Sequence, residues 1–170
     1  MKKFEVHGKM FYQFSLLDVP GLAHFTSSKW GWGGHGKPRF TGDQPEVYQP
    51  FREELARALK ILPSQLVFPR QVHGSKIEVV TSLVGGDIPD TDALITNQPD
   101  LCICVQTADC VPVLLFDPVQ RVIAAVHAGW RGTVGQLVRK TVHAMQLYFD
   151  SAPEDILAGI GPSIHLHAYE

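Results

Sequence analysis

The spacing of apolar and polar positions along the chain predicts helices and strands in a mixed order. Between residues 50 and 62, Phe51, Leu55, Ala58, Leu59 and Leu62 recur at helical spacing while Glu53, Glu54, Arg57 and Lys60 take the other face. That pattern predicts a surface helix with Pro50 in its first turn. The texture then changes to short runs of β type at 76–80, 92–96, 101–107, 111–116 and 122–126, separated by turn signals such as Gly85-Gly86, Asp90, Asn97-Gln98-Pro99 and Asp117-Pro118. Several of these runs are apolar at consecutive positions, which predicts interior strands covered on both faces. From Thr133 to Asp150 an apolar stripe of Val134, Leu137, Val138, Val142, Met145 and Phe149 predicts a second helix, and 156–160 reads as a last strand before Gly161-Pro162. Residues 25–42 carry Gly31, Gly33, Gly34, Gly36, Pro38 and Gly42 and predict a long irregular loop. The whole pattern points to an α/β (α+β) layered fold.

Composition narrows the setting. A chain of 170 residues, 45% apolar, is long enough to bury one sizeable core, so a single domain over 1–170 is expected. Lys+Arg number 15 against 17 Asp+Glu and are scattered, so no basic stripe is available to track a nucleic acid. Met1-Lys2-Lys3 is not followed by the apolar run of a signal peptide, and no stretch reaches the roughly 18 apolar residues of a membrane span. Three cysteines, Cys102, Cys104 and Cys110, are too few and too close together for a disulfide framework, which favours a reducing, cytoplasmic setting.

Candidate chemistry concentrates in residues 70–74 and 107–133. His73 precedes the strand expected near Lys76, Cys110 precedes the next long apolar strand, and His127 follows the one after. Two imidazoles and a thiol at three such junctions suit a tripod for a borderline-soft ion such as zinc with a fourth position open. The same residues suit a thiol nucleophile with a histidine base, and they equally suit a small buried cysteine beside two hydrogen-bonded histidines. Gly129 and Gly132 permit close approach of a ligand, Trp130 and Arg131 offer a stacking face and a bidentate anion grip, and a glycine-rich turn opening a helix near Thr133 would favour phosphate. Cys102 and Cys104, two apart on a strand among Leu101, Ile103 and Val105, are expected to pack in the core. His7, His24, His35 and His143 read as surface or cap residues, and His165 and His167 as a solvated tail.

Arg70-Gln71-Val72-His73-Gly74, Asp92-Ala93-Leu94-Ile95-Thr96, Thr107-Ala108-Asp109-Cys110-Val111-Pro112-Val113, His127-Ala128-Gly129-Trp130-Arg131-Gly132-Thr133 and the late Gly159-Ile160-Gly161-Pro162 together resemble the YfiH-like laccase-domain family. The resemblance implies a CNF/YfiH-like layering of mixed sheets flanked by helices, and it makes His73, Cys110 and His127 the family's His/Cys/His trio, commonly zinc-bound. It further implies phosphorolysis of purine nucleosides, adenosine included, to free base and ribose 1-phosphate, with adenosine deamination as a second activity. Substrate contacts are then expected from Lys29, Gln71 and Arg131. Three departures stand out: Ser27-Ser28-Lys29 where the family usually has Thr-Thr-Arg, a short Gly36-Lys37-Pro38-Arg39-Phe40 stretch in place of a Ser-Leu-Asn element, and an end at Glu170 where members usually continue, so that an incomplete substrate pocket is expected.

Competing readings are a cysteine hydrolase or amidase acting on cell-wall precursors through Cys110, and a catalytically weak metal-binding module. True laccase chemistry needs a trinuclear copper cluster fed by several His-x-His pairs. The chain has eight histidines and one such pair, His165 and His167, so copper is the less favoured metal.

Overall fold

A computed structural model describes residues 1–32, 37–83 and 86–168. The chain opens with a hairpin of β1 (Lys2–Val6) and β2 (Lys9–Gln13), to which the short β3 (Thr26–Ser27) adds antiparallel. Its two-residue turn, His7-Gly8, has positive φ at both positions (49° and 78°), as a tight turn matched to strand twist requires. This hairpin is absent from the hydrophobic pattern reading above, because Lys3, Glu5 and Lys9 interrupt the apolar positions.

The first helix, α1 (Pro45–Leu59), starts five residues earlier than the apolar spacing predicts, with Pro45 and not Pro50 in its first turn. Pro50 lies inside, where it removes one helical hydrogen bond. It sits on the exposed face, where water can satisfy the carbonyl left over. The helix stops at Lys60, which adopts the left-handed conformation, so Leu62 falls outside it and is exposed. The buried face carries Tyr48, Phe51, Arg52, Leu55 and Ala56. It packs with Phe11, Trp32, Phe40, Leu66 and Phe68 into one aromatic-rich cluster, which Lys9 braces through an ion pair to Glu54 at 3.4 Å. Trp32 and Phe40 thus bury part of the expected long loop, while Gly33, Gly34, His35 and Gly36, like Gly85 of the expected turn, lie outside the described residues.

Strands β4 (Leu66–Val67) and β7 (Cys102–Ile103) form a small parallel pair. The expected strand over 101–107 is therefore only two residues long; Cys104 N still bonds the Val67 carbonyl of β4, but Gln106 N bonds the Gln71 side chain instead. The main sheet has the order β10-β8-β9-β6-β5, formed by β5 (Ile77–Val79), β6 (Ala93–Thr96), β8 (Val111–Asp117), β9 (Val122–Ala128) and β10 (Leu157–Ile160). Only β5 and β6 run parallel; the other neighbours are antiparallel. This is the mixed, layered α/β architecture that the pattern of elements predicts.

Both faces of this sheet are covered, as its continuous apolar runs require. On one, Ala93, Ile95, Val113, Leu115, Val122, Ala124, Val126 and Ala128 meet Leu137 and Met145 of α3 (Leu137–Phe149). Each of those two helix residues is fully buried, worth about 2 kcal/mol of apolar burial. On the other, Leu114, Phe116 and Ile123 meet Phe14 and Leu17. The second expected helix is two: a five-residue α2 (Trp130–Val134) and then α3, broken at Gly135-Gln136, where Gln136 is left-handed. The break turns Val134 out to solvent, so it does not join the stripe.

His24 is buried at 7% exposure rather than on the surface. Its Nε2 accepts the Phe14 N–H at 2.9 Å, its ring stacks on Phe14, and burial lowers its pKa below the ordinary 6.5. His7 takes the hairpin turn, and His143, His165 and His167 are exposed.

Candidate metal centre

Two candidate ligands come from one hairpin and the third from the turn before β5. Antiparallel pairing of β8 with β9 sets Val111 opposite Ala128 and Pro112 opposite His127, so Cys110, one step before β8, lies beside the end of β9. His127 is the penultimate residue of β9, inside the strand rather than after it, and its side chain is buried. It points away from the face on which Val126 and Ala128 meet α3, because side chains alternate along a strand. His73 sits three residues before Lys76 in the left-handed region (φ 60°), where a non-glycine residue needs compensating contacts.

The structure brings His73, Cys110 and His127 together. One ligand atom from each lies within 4.8 Å of the others, and the two imidazole rings meet edge to face with centroids 4.7 Å apart. This span is slightly wider than the roughly 4 Å that zinc bond lengths set between ligands. His73 is exposed, Cys110 half-buried and His127 buried, so the trio opens to solvent on one side. Among the described residues it is the one group of three or more His, Cys, Asp or Glu side chains placed to hold an ion.

Gly129 explains how the trio fits. A Cβ there would lie 3.1 Å from Cys110 Sγ, 3.3 Å from His73 Cδ2 and 4.0 Å from His127 Cε1. The missing side chain therefore leaves a cradle that all three ligands face, and two imidazoles plus a thiol are a fitting donor set for zinc. Gly129 has φ −69° and ψ 173°, which any residue adopts, so the constraint is space alone. Gly129→Ala should fold with near-native thermal stability yet bind zinc about tenfold or more weakly, by analogy with other changes around metal ligands. Equal affinity in a chelator competition would show that the cradle is not used.

Burial raises the Cys110 thiol above its ordinary 9.0, and the Asp109 and Asp92 carboxylates add to the effect. Without a cation beside it, that thiol stays protonated and is a weak nucleophile at neutral pH. Cys102 and Cys104 pack against the aromatic cluster as expected, their sulfurs 3.7 Å apart.

The three residues expected from sequence to contact substrate each have partners within the chain. Gln71 is taken up by the backbone of Gln106: its Oε1 accepts from Gln106 N at 2.8 Å and its Nε2 donates to Gln106 O at 2.7 Å. The Gln106 side chain in turn accepts the Phe40 N–H, so this pair braces the loop leading to Cys110. Arg131 is exposed on α2 and lies over the exposed ring of Trp130, 5.2 Å to the centroid. Lys29, just past β3, lies over Trp30 at 5.1 Å. The glycine-rich turn opens α2 at Trp130 rather than near Thr133, and with five residues α2 carries little of the dipole expected to favour phosphate.

Asp92 carried no role in the sequence reading beyond its place in the Asp92-Ala93-Leu94-Ile95-Thr96 motif. It is fully buried, and its Oδ1 lies 2.8 Å from His127 Nδ1. The signal that could have found it is a carboxylate at the head of an otherwise apolar strand, since buried charges are retained only where they are paired.

Comparison with known proteins places the chain in a family. A family model described as multi-copper polyphenol oxidoreductase laccase matches residues 35–170. A purine nucleoside phosphorylase of Bacteroides thetaiotaomicron is 35% identical over 175 residues, covering 92% of this chain and 63% of that protein. Another from Deinococcus radiodurans is 40% identical over 162 residues, covering 91% of this chain and 62% of its own length. The chain thus spans somewhat less than two-thirds of these curated relatives. Among solved structures, YlmD from Geobacillus stearothermophilus superposes with a TM-score of 0.86 at 28% identity, over 98% of this chain and 66% of that one. The Bacillus licheniformis protein YfiH does so with a TM-score of 0.68 at 32% identity, over 74% and 50%. With a family model matched over most of its length and a YfiH-type fold around the His/Cys/His trio, the chain belongs to the multi-copper polyphenol oxidoreductase laccase family, the YfiH-like laccase-domain proteins.

Proposed function

We propose that this chain carries the catalytic centre of a purine nucleoside phosphorylase that cleaves adenosine and related purine nucleosides with phosphate, giving the free base and ribose 1-phosphate. The observation that carries this reading is the convergence of His73, Cys110 and His127 around Gly129 in a chain similar to proteins named for that activity. These three side chains would hold a zinc ion, which when bound supplies a Lewis acid and lowers the pKa of a coordinated group. A trinuclear copper cluster finds no second ligand group among the described residues, which speaks against multicopper oxidase chemistry. Arg131 offers a planar fork for phosphate oxygens and Trp130 an exposed face for a purine ring, while Lys29 adds a second cation. Adenosine deamination at the same centre belongs to this reading as a second activity.

The decisive experiment incubates the protein with a nucleoside panel with and without phosphate and analyses the products. Base and ribose 1-phosphate in equal amounts, with turnover rising with phosphate, are expected. Free ribose at a phosphate-independent rate would replace the reading with a hydrolase. In the phosphorolytic case, Arg131→Lys should raise the KM for phosphate about tenfold and the KM for nucleoside much less, because the ammonium keeps the charge but loses the bidentate grip.

A further inference from the structure

The Asp92 carboxylate touches more of the trio than its pairing with His127. Its Oδ1 accepts the backbone N–H of His73 at 3.0 Å, and its Oδ2 accepts those of Gly74 at 2.8 Å and Val72 at 3.3 Å. Three successive amides of one turn therefore point at one buried carboxylate, a concave donor arrangement that suits an anion. Asp92 also accepts the His127 N–H through its own carbonyl at 2.8 Å. We infer that Asp92 is the positioning residue of the centre, fixing two of the three ligands before any ion binds.

The argument rests on what each group can donate. The three amides can only donate, so the carboxylate oxygens meet them as acceptors. His127 Nδ1, 2.8 Å from Oδ1, completes the same network by donating as well. The ring proton then sits on Nδ1, and Nε2 keeps its lone pair for a ligand. Carboxylates behind metal-bound imidazoles act in this way. Meanwhile the amide bonds hold His73 in its left-handed conformation, which costs about 1–2 kcal/mol for a residue with a Cβ. One side chain thus sets the tautomer of one ligand and the backbone of another.

An asparagine cannot do both. If its oxygen meets the Val72 and Gly74 amides, its NH2 faces the His73 amide and His127 Nδ1. If it is turned round, the NH2 faces the other two amides instead. The test begins with metal-free wild-type protein labelled with 15N-histidine, in which nitrogen chemical shifts report the tautomer of each ring. His127 is expected with its proton on Nδ1, and a proton on Nε2 overturns the proposal. Zinc competition titrations should then show Asp92→Asn binding about 10–100-fold more weakly than wild type. Asp117→Asn alters another buried carboxylate that accepts two turn amides, those of Val119 and Gln120, on the far side of the β8–β9 hairpin, and should bind as wild type does. Wild-type affinity in Asp92→Asn also overturns the proposal, and if that variant does not fold the wild-type spectrum decides alone. The affinity arm rests on the trio being a metal site. Wild-type protein that binds no zinc but shows the Nδ1 proton would remove the metal reading and leave the role of Asp92 standing.

Discussion

Cys110→Ala is expected to give a folded protein that retains neither a stoichiometric zinc ion nor turnover. Structural zinc is worth about 10–16 kcal/mol spread over four ligands, so losing one costs about 3 kcal/mol, a hundredfold or more in affinity. Fold stability should change by only about 1 kcal/mol, because the side chain is small and half-buried. Metal content by mass spectrometry, chelator competition and a denaturation curve measure the three quantities. The wild-type thiol gives a companion readout. With its pKa raised above 9.0 by burial first and the Asp109 and Asp92 carboxylates second, Cys110 in metal-free protein should alkylate more slowly than free cysteine at neutral pH. The rate should climb as pH rises past the ordinary thiol value. Native zinc affinity in Cys110→Ala would remove the cysteine from the centre.

The largest effect on stability is expected from Arg52→Ala, which touches none of the trio in the contacts of its side chain. Arg52 is 8% exposed, lies between the rings of Tyr48 and Phe68 at 4.4 and 4.5 Å, donates from Nε to the Phe40 carbonyl at 2.6 Å and pairs with Asp87. Removing it leaves a largely buried carboxylate and a carbonyl without their partner, a change that costs about 3–5 kcal/mol. Urea denaturation should show a correspondingly lower midpoint with an unchanged slope. Arg52→Lys should recover little, since an ammonium neither stacks between two rings nor reaches two acceptors as a fork does. Asp87→Asn in the Arg52→Ala background should restore part of the loss, and a double-mutant cycle without coupling would show that the pair is not what holds the side chain there.

The contrast between these two residues shows what the sequence made legible. His73, Cys110 and His127 could be picked out as candidates because they lie near the junctions of expected strands, but position left three readings open and it was the resemblance of their motifs that joined them into one site. The main-sheet strands and α3 were likewise readable, since continuous apolar runs and a helical stripe leave few alternatives. Arg52 gave no such signal: a cation on a helix reads as solvated until the facing rings and Asp87 are known. The N-terminal hairpin was hidden by its lysines, of which Lys9 is buried with Glu54 opposite it and the Trp32 ring beneath it. The start of α1 was misplaced because Pro50 looked like a first-turn proline while Pro45 held that position. Gly129 was legible as a point of close approach, but the cradle it leaves for Cys110 and His73, and the carboxylate that Asp92 shares with His73 and His127, depend on neighbours tens of residues away that spacing alone does not encode.

The pairing of β8 with β9 carries one more consequence, which concerns assay and folding quality. Side chains alternate along a strand, so a slip of one residue between these partners would turn His127 into the α3 face and carry Val126 to the opposite one. The same register that buries the core also places Cys110 beside Gly129. If the trio holds zinc, uptake from excess metal would then count the fraction of molecules whose hairpin is correctly zipped, and a saturated preparation with native secondary structure but substoichiometric metal would point to mis-registered chains that circular dichroism passes as folded.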